Sequence, residues 1–246
     1  MKNIFLILTL LIVSAGFTFS QSKIQIDKEQ YLYKNNKVKT EIIDYSDGSK
    51  IVTKYNKSGN PIEIMYYNDN NKIRLVTSKY DNSGNKSEDS YLGYESGDMW
   101  SVYFYYDESG NTIKTKVVGS DDGETYFKYD ELGNLIQSEW VDIGTNQSAS
   151  YITEYKNIYE NGNLASQETI CNSQTENVII TRFYYENNIV VNVKEDQKNC
   201  KDNSINFYSK KTIKYFDNGL VQETTFESSY SDGLINGVNN YEFYSN

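Results

Sequence analysis

Trp100-Ser101-Val102-Tyr103-Phe104-Tyr105-Tyr106-Asp107-Glu108-Ser109-Gly110-Asn111 is the stretch that decides the fold. Its first seven residues alternate: Trp100, Val102, Phe104 and Tyr106 fall on one side of an extended chain, with Ser101, Tyr103 and Tyr105 on the other. The next five residues follow a different rule. Asp107 is able to hydrogen-bond back onto a reversal, two tolerant positions follow, and Gly110 stands where the chain must take a positive φ. This is the pattern of a type I turn closed by a G1 bulge, a common connection between two antiparallel strands.

The same hexamer recurs. Tyr55-Asn56-Lys57-Ser58-Gly59-Asn60, Tyr80-Asp81-Asn82-Ser83-Gly84-Asn85 and Tyr129-Asp130-Glu131-Leu132-Gly133-Asn134 repeat it, with looser copies at Tyr159-Glu160-Asn161-Gly162-Asn163, Tyr185-Glu186-Asn187-Asn188 and Phe216-Asp217-Asn218-Gly219. The turn glycines are therefore Gly59, Gly84, Gly110, Gly133, Gly162 and Gly219. Weaker turn signals lie between them, at Asp69-Asn70-Asn71, Glu95-Ser96-Gly97-Asp98, Asp121-Asp122-Gly123 and Ile143-Gly144-Thr145-Asn146. Strong and weak turns alternate, so the repeating unit is a hairpin.

Strands are expected over 37–45, 50–56, 62–68, 73–80, 87–94, 100–106, 112–118, 124–129, 135–142, 149–160, 164–171, 178–185, 189–195, 205–216, 220–228 and 236–244. In the central four, one face collects Trp100, Val102, Phe104 and Tyr106, then Ile113, Thr115 and Val117, then Phe127 and Tyr129, then Ile136, Ser138 and Trp140. The opposite face carries Tyr103, Tyr105, Lys114, Lys116, Tyr126, Lys128, Gln137 and Glu139. The period of two predicts an all-β protein: an antiparallel meander of repeated hairpins forming an extended, curved or solenoid-like sheet buried on one side. A weak domain boundary is placed near 146–150, where the repeat loosens.

These hexamers resemble YD repeats, the tyrosine-aspartate repeats of RHS-type polymorphic toxins and teneurins. The likeness covers about residues 45–140 well and 150–245 loosely, with Asn56 in place of the aspartate in the first copy. It implies hairpins coiling into a shell or solenoid, here in a short stand-alone exported chain without a toxin domain, as in Gram-negative bacteria.

The N-terminus fits export. Lys2 precedes the apolar run Ile4 to Val13, and small or hydroxylated residues lead to a cut after Ser20, so residues 1–20 read as a signal peptide and 21–246 as the hairpin array. After its removal no segment is apolar long enough to span a membrane as a helix. A periplasmic or extracellular location follows, and in an oxidising compartment the two cysteines, Cys171 and Cys200, are assigned to one disulfide. The strand count sends both from the same edge of the sheet.

Composition excludes several chemistries. The formal net charge of −10 removes phosphate-backbone attraction, so no nucleic-acid partner is expected. The chain has no histidine, which removes the commonest neutral-pH base, the Ser-His-Asp arrangement and the usual zinc ligands. No catalytic residue, cofactor or metal site is assigned. Asp121-Asp122-Gly123-Glu124 lacks the spacing of a calcium loop. The function expected is a non-enzymatic structural or interaction module at the bacterial envelope, binding protein or glycan through outward rings, with Tyr103, Tyr105 and Tyr126 as the ligand surface. Two alternatives stand beside it. One is an immunity or toxin-neutralising role for an acidic repeat protein. The other is a surface polysaccharide hydrolase using Glu139 and Asp142 beside Trp140.

Overall fold

The computed structural model describes residues 30–119, 122–143, 150–170, 177–186, 189–202, 204–229 and 234–244. The signal peptide expected at 1–20 and Cys171 lie outside these residues, as do residues 144–149, where a boundary was expected. Sixteen strands follow one another: β1 Val38–Tyr45, β2 Ser49–Tyr55, β3 Pro61–Asn68, β4 Asn71–Tyr80, β5 Lys86–Gly93, β6 Met99–Tyr106, β7 Thr112–Val118, β8 Gly123–Tyr129, β9 Leu135–Asp142, β10 Ser150–Glu160, β11 Asn163–Thr169, β12 Asn177–Glu186, β13 Ile189–Asn199, β14 Ile205–Tyr215, β15 Val221–Ser228 and β16 Ile235–Phe243. Each pairs antiparallel with its neighbour in sequence.

The sheet does not stay open. β1 pairs with β16 from Val38↔Phe243 to Tyr45↔Gly237, closing a barrel in place of the extended or solenoid-like sheet expected from the repeat. Closure satisfies the two rows of backbone donors and acceptors that an open meander leaves at its ends. Sizeable contacts between strands run only between ring neighbours.

Registers separate two faces. The inner one carries the deeply buried Thr53, Val76, Asp89, Val102, Thr115 and Glu195, and the outer one the exposed lysines of ion pairs such as Lys54–Glu63, Lys79–Glu88 and Lys214–Glu223. Two residues assigned to the inner face stand outside. Ile113 is 41% exposed and Ile136 37%, because a β-bulge after each strong turn reverses the alternation. Tyr105 faces Lys114 while Tyr106 faces Thr112, so Ile113 is the extra residue, and Ile136 is its counterpart between Leu135 and Gln137.

Strong turns gather on one rim. Gly59, Gly84, Gly110, Gly133, Gly162 and Gly219 all have positive φ, and in the turn after β4 the Asp81 carboxylate accepts hydrogen bonds from the backbone N–H groups of Ser83 and Asn85 at 2.8 and 2.9 Å. Tyrosines at the strong-turn ends of the strands have a further role. Tyr80 donates to the carbonyl of Pro61, Tyr106 to Lys86, Tyr129 to Thr112, Tyr185 to Leu164, Tyr215 to Val190 and Tyr241 to Val221, at 2.7 to 3.0 Å. In each case the acceptor is opposite, or directly beside the partner of, the tyrosine one hairpin earlier, as Lys86 is opposite Tyr80. Tyr159 reaches the Asp130 carboxylate instead, and burial followed by that bond pushes its pKa up to about 12.

The ring closes at Glu41. This buried carboxylate accepts from Tyr55 at 2.8 Å, Tyr241 at 2.8 Å, Asn239 at 2.8 Å and Tyr33 at 3.2 Å. The seam between β16 and β1 has no turn, and its place on the rim is filled by a short helix over 30–35. Tyr33 stacks on Tyr55 with centroids 4.3 Å apart, and Leu32 packs on the Val38, Tyr55 and Leu220 cluster. Gly59 is needed beneath it: a Cβ there would lie 2.3 Å from the carbonyl oxygen of Gln30.

Candidate binding surfaces on the two walls

The outer wall brings the three expected tyrosines onto one patch. Tyr105, Lys114 and Tyr126 are consecutive cross-strand partners on β6, β7 and β8, and Tyr103 opposes Lys116 one row away. The Lys114 ammonium lies 4.4 Å from the Tyr105 ring centroid and 5.9 Å from that of Tyr126, and it pairs with Glu124 at 3.2 Å. Tyr126 donates its hydroxyl to the same carboxylate, which raises the tyrosine pKa and, together with Lys114, lowers that of Glu124. Tyr105 and Tyr126 keep 42% exposure each. Each of these two rings thus has the Lys114 ammonium beside it.

Glu139 and Asp142 do not form a carboxylate pair. Glu139 opposes Tyr126 and accepts from Ser150 on the outer wall, whereas Asp142 opposes Gly123 on the inner one. Two acids on opposite faces of a sheet cannot flank one glycosidic bond. Asp122 is a turn residue, its carboxylate accepting from the Gly119 N–H at 2.8 Å. Among the described residues no group of three Cys, Asp or Glu side chains could hold a metal ion. Cys200 follows β13 on the weak-turn rim and is disulfide-bonded. Cys171 is the only other cysteine in the sequence.

The inner wall holds a second aromatic concentration, near the weak-turn rim. Tyr91 and Trp100 face each other across β5 and β6 and stack with centroids 4.9 Å apart at 3°. The Arg74 guanidinium lies over the Trp100 ring at 5.6 Å, and Tyr66 is its cross-strand partner. Three strands on, Trp140 packs against Tyr151 at 5.7 Å and leans on Gly123, where a Cβ would come within 2.7 Å of the indole nitrogen. Burial raises the pKa of Tyr66 and Tyr91, while Arg74 acts against it in both. Both tryptophans of the chain thus stand on the inner wall.

No protein-family model and no curated protein matches the sequence. Among solved structures, the barrel is similar to a porin-like protein from Bacteroides uniformis, with a TM-score of 0.51 and 8% identity over 84% of this chain and 97% of that one. The structure of TcdB2-TccC3-TEV aligns at a TM-score of only 0.29, with 9% identity over 74% of this chain and 13% of that one. The first likeness establishes a shared fold. At such identity it carries no chemistry, and the second carries no argument.

Sequence reasoning placed the ligand surface on the outer wall and passed over Arg74. A signal was present. Counting back from Tyr80 in steps of two gives Ser78, Val76 and Arg74, which puts one of only two arginines on the buried face. The other, Arg182, is on the outer wall and bonded to Asp196 at 2.5 Å.

Proposed function

We propose that the protein is a non-enzymatic, exported binding barrel of the bacterial envelope, a short relative of YD-repeat proteins, and that its inner wall takes a glycan. One observation carries this reading: the stacked Tyr91–Trp100 pair and the Trp140–Tyr151 pair both stand on the inner wall of the barrel, near one rim. Rigid rings on a sheet offer their apolar faces to sugar rings with little ordering cost. The test is a glycan array with the purified protein, followed by titration of tryptophan emission. A specific glycan that shifts the emission is expected. Absence of any glycan signal would remove the reading.

The likeness to a porin-like protein raises a lipid-embedded alternative, and the outer wall speaks against it. A membrane barrel turns an apolar band about 25 Å tall outward. Here the apolar residues Ile42, Val52, Met65, Leu75, Leu92 and Met99 form a row one residue deep across β1 to β6. The row beside it, Thr40, Lys54, Glu63, Thr77, Ser90 and Ser101, is polar throughout, and β7 and β8 present Lys114, Lys116, Glu124 and Lys128. A lysine at the bilayer midplane costs about 2–4 kcal/mol. Cell fractionation should recover the protein without detergent; retention in carbonate-washed membranes would reverse the assignment.

A further inference from the structure

We infer that the Arg74–Tyr91–Trp100 cluster is a subsite for an acidic saccharide, in which a uronate-type sugar packs beside the stacked rings and its carboxylate is held by the guanidinium. This deepens the glycan reading above and rests on it. Three observations on the inner wall converge.

First, Arg74 has no anionic partner among the described residues. Among the described residues no ion pair includes it, although the chain carries ten more acidic than basic residues. The carboxylate next along this wall is already engaged: Asp89 accepts from Ser78 at 2.5 Å and from Lys86 at 3.0 Å. Glu41 is occupied by its four donors. A half-buried guanidinium whose neighbours are rings keeps N–H donors directed at whatever enters, in the fork geometry that suits a carboxylate.

Second, no acidic side chain of β5 stands opposite Arg74. The residue there is Gly93, where a Cβ would come within 2.6 Å of the Ser96 hydroxyl. Trp100 has Tyr91 stacked on one face, and Gly119 lies close against the backbone of Met99 and Trp100 from the β7 side. Third, the cluster is prearranged. Arg74 is held over Trp100 at 5.6 Å and Tyr91 fixes the indole at 3° from parallel, so binding orders little that is not already ordered. Aromatic face plus fixed guanidinium recognises a ring bearing a carboxylate rather than a neutral hexose.

The experiment compares oligogalacturonate with its methyl ester, the same skeleton with its carboxylates masked, by titrating tryptophan emission of the full protein. The panel is widened with alginate and hyaluronan oligomers. The free acid of at least one should bind about tenfold tighter than the masked or neutral form, a difference of about 1.4 kcal/mol. In Arg74→Gln that preference should vanish while binding of the neutral form persists. Arg74→Lys, which keeps the charge and loses the fork, should retain only part of it. Thermal melts of both variants report whether they fold, and Arg74→Lys decides the matter if Arg74→Gln does not. Equal binding of acid and ester, or a preference undiminished in the folded variant, would overturn the subsite and leave the glycan reading intact. Failure of every glycan, neutral and acidic, would overturn both.

Discussion

The two rims of this barrel are built on different principles. On the strong-turn rim the same six-residue device recurs, each tyrosine tying its hairpin to the one before, and the circle is completed by Glu41 and the helix over 30–35. On the weak-turn rim the connections differ from one another. Asp69 and Asn70 both take positive φ in a two-residue reversal, whereas residues 94–98 form a longer loop bonded between Gly93 and Asp98. The Arg74–Tyr91–Trp100 cluster and the Trp140–Tyr151 pair stand near this second rim. One end of the barrel is held constant by repeated hydrogen bonds, which leaves the connections of the other free to vary.

The largest expected effect lies at the seam of the constant rim. Replacing Glu41 with alanine leaves the hydroxyls of Tyr33 and Tyr55 and the amide of Asn239 without their shared acceptor, while the Tyr241 hydroxyl keeps the Val221 carbonyl. Burial already raises the pKa of Tyr55 and Tyr241, so neither can answer by ionising. A buried neutral donor left without an acceptor costs about 1–3 kcal/mol. Urea unfolding of Glu41→Ala should show a loss of that order. A midpoint within error of wild type would mean that the helix and seam are ornaments, and that the rims do not differ in stability.

A smaller effect separates the walls. Tyr106→Phe removes a hydroxyl that donates to the Lys86 carbonyl at 2.8 Å, in surroundings that push the Tyr106 pKa up to about 12 through burial. Its neighbour Tyr105 is on the outer lattice, with no hydroxyl bond among those described and its ring beside Lys114. Tyr106→Phe should cost about 1 kcal/mol and Tyr105→Phe about a third of that or less, both read from urea midpoints at constant slope. Equal costs would show that the tyrosine ring contributes no more than ordinary surface packing.

The sequence made the strands legible because each is bounded by turn chemistry at short range. All sixteen fall within four residues of their expected limits, the worst being the end of β13 at Asn199, where Glu195 was expected. The faces were legible as far as alternation holds. They fail at Ile113 and Ile136, where a bulge shifts the count by one and local residues give no sign of it. Closure was not legible, since pairing Val38 with Phe243 depends on the stagger summed over all sixteen strands, a property that no hexamer carries. The site shows the same division. Alternation alone puts Tyr105 and Tyr126 on one face, while their nearness across β7, like that of Arg74 to Trp100 across β5, requires two registers at once.

The smallest effect concerns an inner-wall acid far from the seam. Glu195 lies between Thr181 and Ser209 on β12 and β14, 8% exposed, and burial, followed by the nearby Asp196 charge, raises its pKa above the ordinary 4.5. A carboxyl whose folded pKa is raised favours the folded state most when protonated. Its contribution is fully present below pH 4.5 and is lost as the pH rises through the folded value. Glu195→Gln removes the ionisation without removing bulk, so it should leave the melting temperature unchanged in acid and raise it slightly at pH 7. The measurement is Tm against pH for the two proteins. Curves that stay parallel would mean that Glu195 titrates as if in water, and that the inner wall there is as wet as the outer one. If the curves converge in acid, the inner wall desolvates charge on the side away from Arg74 as well. A guanidinium kept on such a wall with no anionic partner among the described residues is then a cost to stability, of the kind that a binding subsite explains and a structural role does not.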